Sequence, residues 1–123
     1  MVFLIIDTSS IVFGFSNRKD VFEIARIRFP GYGMLISAGV LNELSKLAGN
    51  RGQKGAGAKT AIEALKYKKV DVDNNTGSVD SWIYAKSREY PHTVVITNDT
   101  ELYKKLKSAN INCLKLTKAG LLR

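Results

Sequence analysis

Five apolar residues, Val2-Phe3-Leu4-Ile5-Ile6, run without interruption into Asp7. A strand with one wet face alternates apolar and polar side chains. An unbroken branched run needs cover on both faces, which is the setting of a central strand in a parallel sheet. Later segments are spaced to provide that cover. Phe22, Ala25 and Phe29 repeat at helical spacing between Asp20 and Phe29, and Pro30-Gly31 closes the segment. Val40, Leu41, Leu44 and Leu47 form a helical stripe ended by Gly49, and Ala58, Ile62 and Leu65 mark a further helix. Gly33 to Ser37 reads as a second strand, Lys69 to Val72 as a weaker one, Thr93 to Thr97 as the clearest later one and Ile111 to Leu114 as the last. Asn74 to Ser78 is turn chemistry, with Ser78 as cap of a helix from Val79 to about Glu89. Leu102 and Leu106 face the core from a helix over 100–108. Strands separated by helices pair in parallel, because a two-residue turn cannot join parallel neighbours. The expectation is a three-layer α/β/α fold in which residues 1–123 form a single domain.

Length agrees, since 123 residues suffice for one core and not for two. One cysteine, Cys113, excludes an internal disulfide, and with one histidine, His92, it cannot complete a zinc tetrahedron. No apolar run approaches a membrane span, and the N-terminal run is too short for a signal peptide, so a cytoplasmic protein is expected. The net charge is +8. Such an excess suits a polyanionic partner, the alternative being an ordinary soluble basic surface. The segment Gly49 to Thr60 looks like a phosphate loop, but Ala58 separates Gly57 from Lys59-Thr60 and the segment follows a helix rather than a strand. It reads as a flexible basic loop whose Arg51, Lys54 and Lys59 either contact a phosphate backbone or are simply solvated.

Only eleven acids are present, so their positions are informative. Asp7 follows the most apolar strand, and Asp99 follows Val94-Val95-Ile96 across Thr97-Asn98. In an open parallel sheet, ligands bind beyond the carboxyl ends of the strands. Asp80 opens the helix before the Asp99 strand, and Glu43 falls beside Leu47 at the edge of an apolar stripe, which places its carboxylate near the buried side. Each has an ordinary alternative. Asp99 caps the next helix, Asp80 favours a helix dipole, Glu43 pairs with Lys46, and Asp7 accepts from loop amides. Four acids on one rim of a basic protein would repel one another unless a divalent cation neutralised them. Mg²⁺ and Mn²⁺ prefer such hard oxygen ligands. A carboxylate-held metal beside a basic surface suits phosphodiester hydrolysis, which needs no histidine. An aspartyl-nucleophile phosphatase would want a second Asp two residues on, where Ser9 stands. A non-catalytic RNA- or protein-binding module with the same fold is the other alternative.

Over essentially its full length the chain resembles PIN-domain nucleases. The motifs are Leu4-Ile5-Ile6-Asp7-Thr8-Ser9, Val40-Leu41-Asn42-Glu43-Leu44, Val79-Asp80 and Val94-Val95-Ile96-Thr97-Asn98-Asp99-Thr100-Glu101-Leu102, in this order. The resemblance implies a five-stranded parallel sheet of order 3-2-1-4-5 and metal-dependent cleavage of RNA. It implies that Asp7, Glu43, Asp80 and Asp99 form an acidic quartet around Mg²⁺ or Mn²⁺, with Ser9 bonding the cluster and Asn98 orienting Asp99. The family's Asp-Asp pair is Asp80-Ser81 here, which bears on the metal count. Within the family two roles compete: the toxin of a toxin–antitoxin pair, restrained by a small antitoxin, and a nuclease processing ribosomal RNA precursors. The resemblance leans slightly to the second. A homodimer is expected from the habits of the family.

Overall fold

The computed structural model describes residues 2–123. Eleven elements alternate along the chain: β1 (Phe3–Ile6), α1 (Thr8–Ser16), α2 (Val21–Arg28), β2 (Gly33–Ser37), α3 (Ala38–Ala48), α4 (Gln53–Leu65), β3 (Val70–Asp73), α5 (Val79–Glu89), β4 (Val94–Ile96), α6 (Thr100–Ser108) and β5 (Asn112–Leu114). The strands form one parallel sheet in the order β3-β2-β1-β4-β5. β1 is therefore the middle strand, as its apolar run demands. Leu4, Ile5 and Ile6 are consecutive and fully buried, so both faces of the strand are covered. Each such side chain contributes about 1.5–3 kcal/mol by leaving water. β3 lies at an edge, and its Val72 is half exposed, which is why its sequence pattern is the weakest.

Helix starts follow local chemistry. Ser37, Asp20 and Ser78 accept from the backbone N–H of Val40, Glu23 and Ser81, capping α3, α2 and α5. Helices α1, α3 and α4 pack on one another, while α5 packs on β4 and α6 on β5.

Two sequence expectations need correction. The residues after Asp7 do not end the strand in a loop; α1 begins at once with Thr8. Its Thr, Ser and Gly content hides the helix, whose stability comes from burying Ile11 and Val12. The supposed flexible loop is largely helix: α4 starts at Gln53 and carries Lys54 and Lys59. Its glycines serve close packing rather than freedom. A Cβ on Gly57 would overlap Ser16 of α1, and one on Gly55 would overlap the backbone of Asn50. Of the glycines in this segment only Gly52, at φ 95°, uses glycine's conformational range, at the start of the helix.

After β5 the chain turns back on itself. Leu116 pairs with Leu122 in an antiparallel bridge, and Lys115 and Arg123 exchange backbone hydrogen bonds of 2.8 and 2.9 Å.

Candidate metal and phosphodiester site

The ladder continues past the strand ends. The Asp7 N–H donates to the carbonyl of Ile96 at 2.9 Å, and the Thr97 N–H to that of Leu114 at 3.0 Å. Asp7 and Thr97 thus meet at the carboxyl edge of the middle of the sheet. The Thr97 hydroxyl donates to Asp7 Oδ2 at 2.8 Å, and the Ser9 hydroxyl to the same oxygen at 2.5 Å. Asp7 occupies the N-cap position of α1, yet its side chain caps nothing. The loop-amide alternative for this residue is therefore overturned.

Asp99 sits at the matching place after β4. Its Oδ1 accepts from the N–H groups of Glu101 and Leu102 and caps α6. Its own N–H donates to the Thr97 hydroxyl at 3.1 Å, so Thr97 links the two acids. Asp80 lies in the first turn of α5. The turn before it is held to α3 by the Gly39 N–H, which donates to Asn75 O at 3.0 Å. Glu43 projects from α3, and the Thr8 hydroxyl donates to its Oε1 at 2.6 Å. Contrary to the expectation from the helical stripe, Glu43 is exposed. Its carboxylate reaches Thr8 across the rim rather than lying under it.

Asp7, Glu43, Asp80 and Asp99 all line one cavity of about 410 Å³, together with Thr8, Ser9, Lys46 and Leu47. Among the described residues no hydroxyl or N–H donates to Asp7 Oδ1, Glu43 Oε2, Asp99 Oδ2 or either oxygen of Asp80. Among the described residues none of the four makes a salt bridge, although the chain has 19 basic residues. Five of the other seven acids, Asp20, Glu23, Glu63, Asp73 and Glu89, do.

The electrostatic strain shows in protonation. Burial pushes the Asp7 carboxyl above its ordinary value; the Ser9 and Thr97 hydrogen bonds oppose this, and the charges of Glu43 and Asp99 add to it. Asp80 is raised first by desolvation and then by the charges of Asp7 and Asp99, with Lys105 opposing.

Free carboxylate oxygens that repel one another are the donor set of a hard divalent cation, so the residues fit Mg²⁺ or Mn²⁺. As they stand, no three acidic, histidine or cysteine side chains among the described residues form a closed ligand set.

Asn98 does not orient Asp99, as the motif suggested. Its Oδ1 accepts from the Ser10 hydroxyl at 2.7 Å and the Leu116 N–H at 3.1 Å, and its Nδ2 donates to Leu116 O at 2.9 Å. It fastens the C-terminal hairpin to the site. Lys54 lines a neighbouring cavity, whereas Arg51 and Lys59 line neither cavity. Thr97, Thr8 and Lys46 escaped selection from sequence; the Thr-Asn-Asp run was the one signal for Thr97.

The family model described as a PIN-like domain matches residues 4–119. A solved structure titled as the PIN domain endonuclease Utp24 aligns with a TM-score of 0.74 at 22% identity, covering 94% of this chain and 85% of that one. A domain of a functionally unknown protein from Methanocaldococcus jannaschii DSM 2661 aligns with a TM-score of 0.62 at 19% identity, covering 94% of this chain and 91% of that one. At such identities these likenesses speak to the fold. Comparison with curated proteins found no match.

Proposed function

The chain belongs to the PIN-like domain family, and from that premise we propose that it is a Mg²⁺- or Mn²⁺-dependent endoribonuclease. The observation that carries the reading is the segregation of its acids. In a chain of net charge +8, four acids from separate segments line one cavity and none makes a salt bridge among the described residues. The endonuclease title of the Utp24 structure agrees with this reading.

In this proposal Asp7 is the central ligand, held rigidly by Ser9 and Thr97 with its second oxygen toward the cavity. Asp99 and Asp80 complete the metal environment, and Glu43 orients the attacking water, its position set by Thr8. A divalent cation held there would lower the pKa of a water and offset charge on the scissile phosphate. Lys46 places a positive charge on the same rim. RNA is the substrate, and the basic surface supplies its salt-dependent attraction. The cellular role is processing of ribosomal RNA precursors, the toxin role with an antitoxin partner being its rival; the unit is a homodimer.

Cleavage of single-stranded RNA in Mn²⁺ tests the activity. It should stop with EDTA and with Asp7→Asn, while RNA binding persists because the variant loses a negative charge. Activity surviving both treatments rejects the assignment. One observation favours a non-catalytic RNA-binding module: the absence of a closed ligand set among the described residues. A melting temperature indifferent to Mn²⁺ would choose that module. Cleavage of a ribosomal precursor, against co-purification with a small antitoxin, separates the two roles, and the mass in solution tests the dimer.

A further inference from the structure

Beside the acidic cavity lies a second one of about 530 Å³, and the two share Thr8, Ser9 and Leu47. They are adjacent along one rim, and their character differs. The first is lined by four carboxylates and one lysine. The second has no acid; it is lined by Phe13, Asn17, Gln53, Lys54, Asn98 and Lys118, among others. Neither Lys54 nor Lys118 makes an ion pair among the described residues.

These groups come from four parts of the chain. Phe13 and Asn17 belong to α1 and its end, and Gln53 and Lys54 open α4. The Gln53 amide donates to Ser16 O at 2.5 Å, locking the start of α4 onto α1. The Asn17 amide donates to Phe13 O at 2.8 Å. These bonds occupy a donor of each side chain and leave the carbonyl oxygens Gln53 Oε1 and Asn17 Oδ1 without a partner among the described residues. Lys118 is carried by the C-terminal hairpin, which Asn98 holds through Leu116.

We propose that this second cavity is a nucleotide pocket that takes the unpaired nucleotide next to the scissile phosphate. The proposal rests on the endoribonuclease reading of the acidic cavity. The cavity lies within the range of roughly 300–1,000 Å³ usual for small-molecule sites, so it admits a single base and sugar. Phe13 supplies a ring for a base to lie against, and stacking of this kind accepts any base. The free amide carbonyls of Asn17 and Gln53 face donors on the base edge. Lys54 and Lys118 meet the flanking phosphate. Polarity reverses where the chemistry requires it: the phosphate to be cleaved sits among acids that need a metal, while its neighbour is held by lysines alone. Asn98 is in this scheme a positioning residue, acting through the hairpin that presents Lys118.

The test is binding of a short fluorescein-labelled single-stranded RNA in EDTA, where cleavage is silent, followed by anisotropy. Phe13→Leu keeps an apolar group against the core and should weaken binding about tenfold. Lys118→Ala should weaken it and reduce the slope of log K against log salt by about 0.7. A set of oligonucleotides with one abasic position each should show one position whose loss costs affinity in the wild type and nothing further in Phe13→Leu. The pocket is refuted if both variants, folded by circular dichroism, bind as the wild type does, or if no abasic position is silenced by Phe13→Leu. An RNA cut by the wild type in Mn²⁺ but bound independently of these residues defeats the pocket alone. A protein that neither cuts nor binds RNA defeats the underlying reading with it.

Discussion

Both ends of the sheet carry a cavity, and the larger one is at the amino end. There, about 580 Å³ is lined by Tyr32, Arg88, Tyr90, His92 and neighbours, with no carboxylate. The acidic cavity at the carboxyl end has about 410 Å³ and four acids. Size would choose the first and chemistry the second. In a parallel sheet every strand leaves at the same edge and is followed by a helix, so side chains distant in sequence converge there. At the amino edge, Thr93 donates to Tyr90 O at 2.7 Å, a contact that closes a turn. At the carboxyl edge, Thr97 bonds to Asp7, 90 positions away.

The sharpest way to break this contrast is to neutralise one group at each end. Asp7→Asn should reduce RNA cleavage at least about a hundredfold in a quenched-flow or gel assay. His92→Ala should leave it unchanged, since His92 is exposed at the opposite edge. Equal losses would mean that the amino-end cavity takes part.

Metal linkage comes next. Mn²⁺ at about 100 times its dissociation constant should stabilise the wild type by about 2.7 kcal/mol in thermal melts, and Asp7→Asn far less. Stabilisation that survives Asp7→Asn would place the ion elsewhere.

Thr97→Val removes the hydroxyl shared by Asp7 and Asp99 without changing shape, and should lower cleavage about tenfold or more. Thr93→Val should cost only stability, about 1 kcal/mol.

The smallest effect sharpens the comparison by stability alone. Without metal, Asp7→Asn should raise the melting temperature, because it removes a buried charge beside two like charges; a gain of about 1 kcal/mol is expected. The carboxyl of Asp7 is raised in the folded state, so the native protein holds its proton more tightly than the unfolded chain. Stability from that proton is complete below the ordinary value of 3.8 and is lost as pH rises through the raised one. The advantage of Asp7→Asn should therefore be full at neutral pH and close as pH falls toward 3.8. Melts in EDTA across that window check it; a constant difference would show that charge burial is not the cause.

Much of the architecture was legible before any coordinates. The run into Asp7 placed β1 in the middle of the sheet, and the bounds of α6 and the cap at Ser78 followed from local patterns. What escaped was a matter of packing. Gly55 and Gly57 look like a flexible loop in one dimension; they are small because α4 lies against α1 and a neighbouring backbone. Asn98 sits beside Asp99 in sequence, yet its side chain turns to Ser10 and Leu116.

By itself, the order of residues determined the strands, the helices with a clear apolar stripe and which acids follow a strand, because hydrophobic period and capping act over a few positions. Tertiary structure alone decided that Thr8 holds Glu43, that Thr97 ties Asp7 to Asp99, and that Lys118 lines the second cavity. Those contacts depend on strand register and on how closely helices approach, quantities that are set only when the whole core closes.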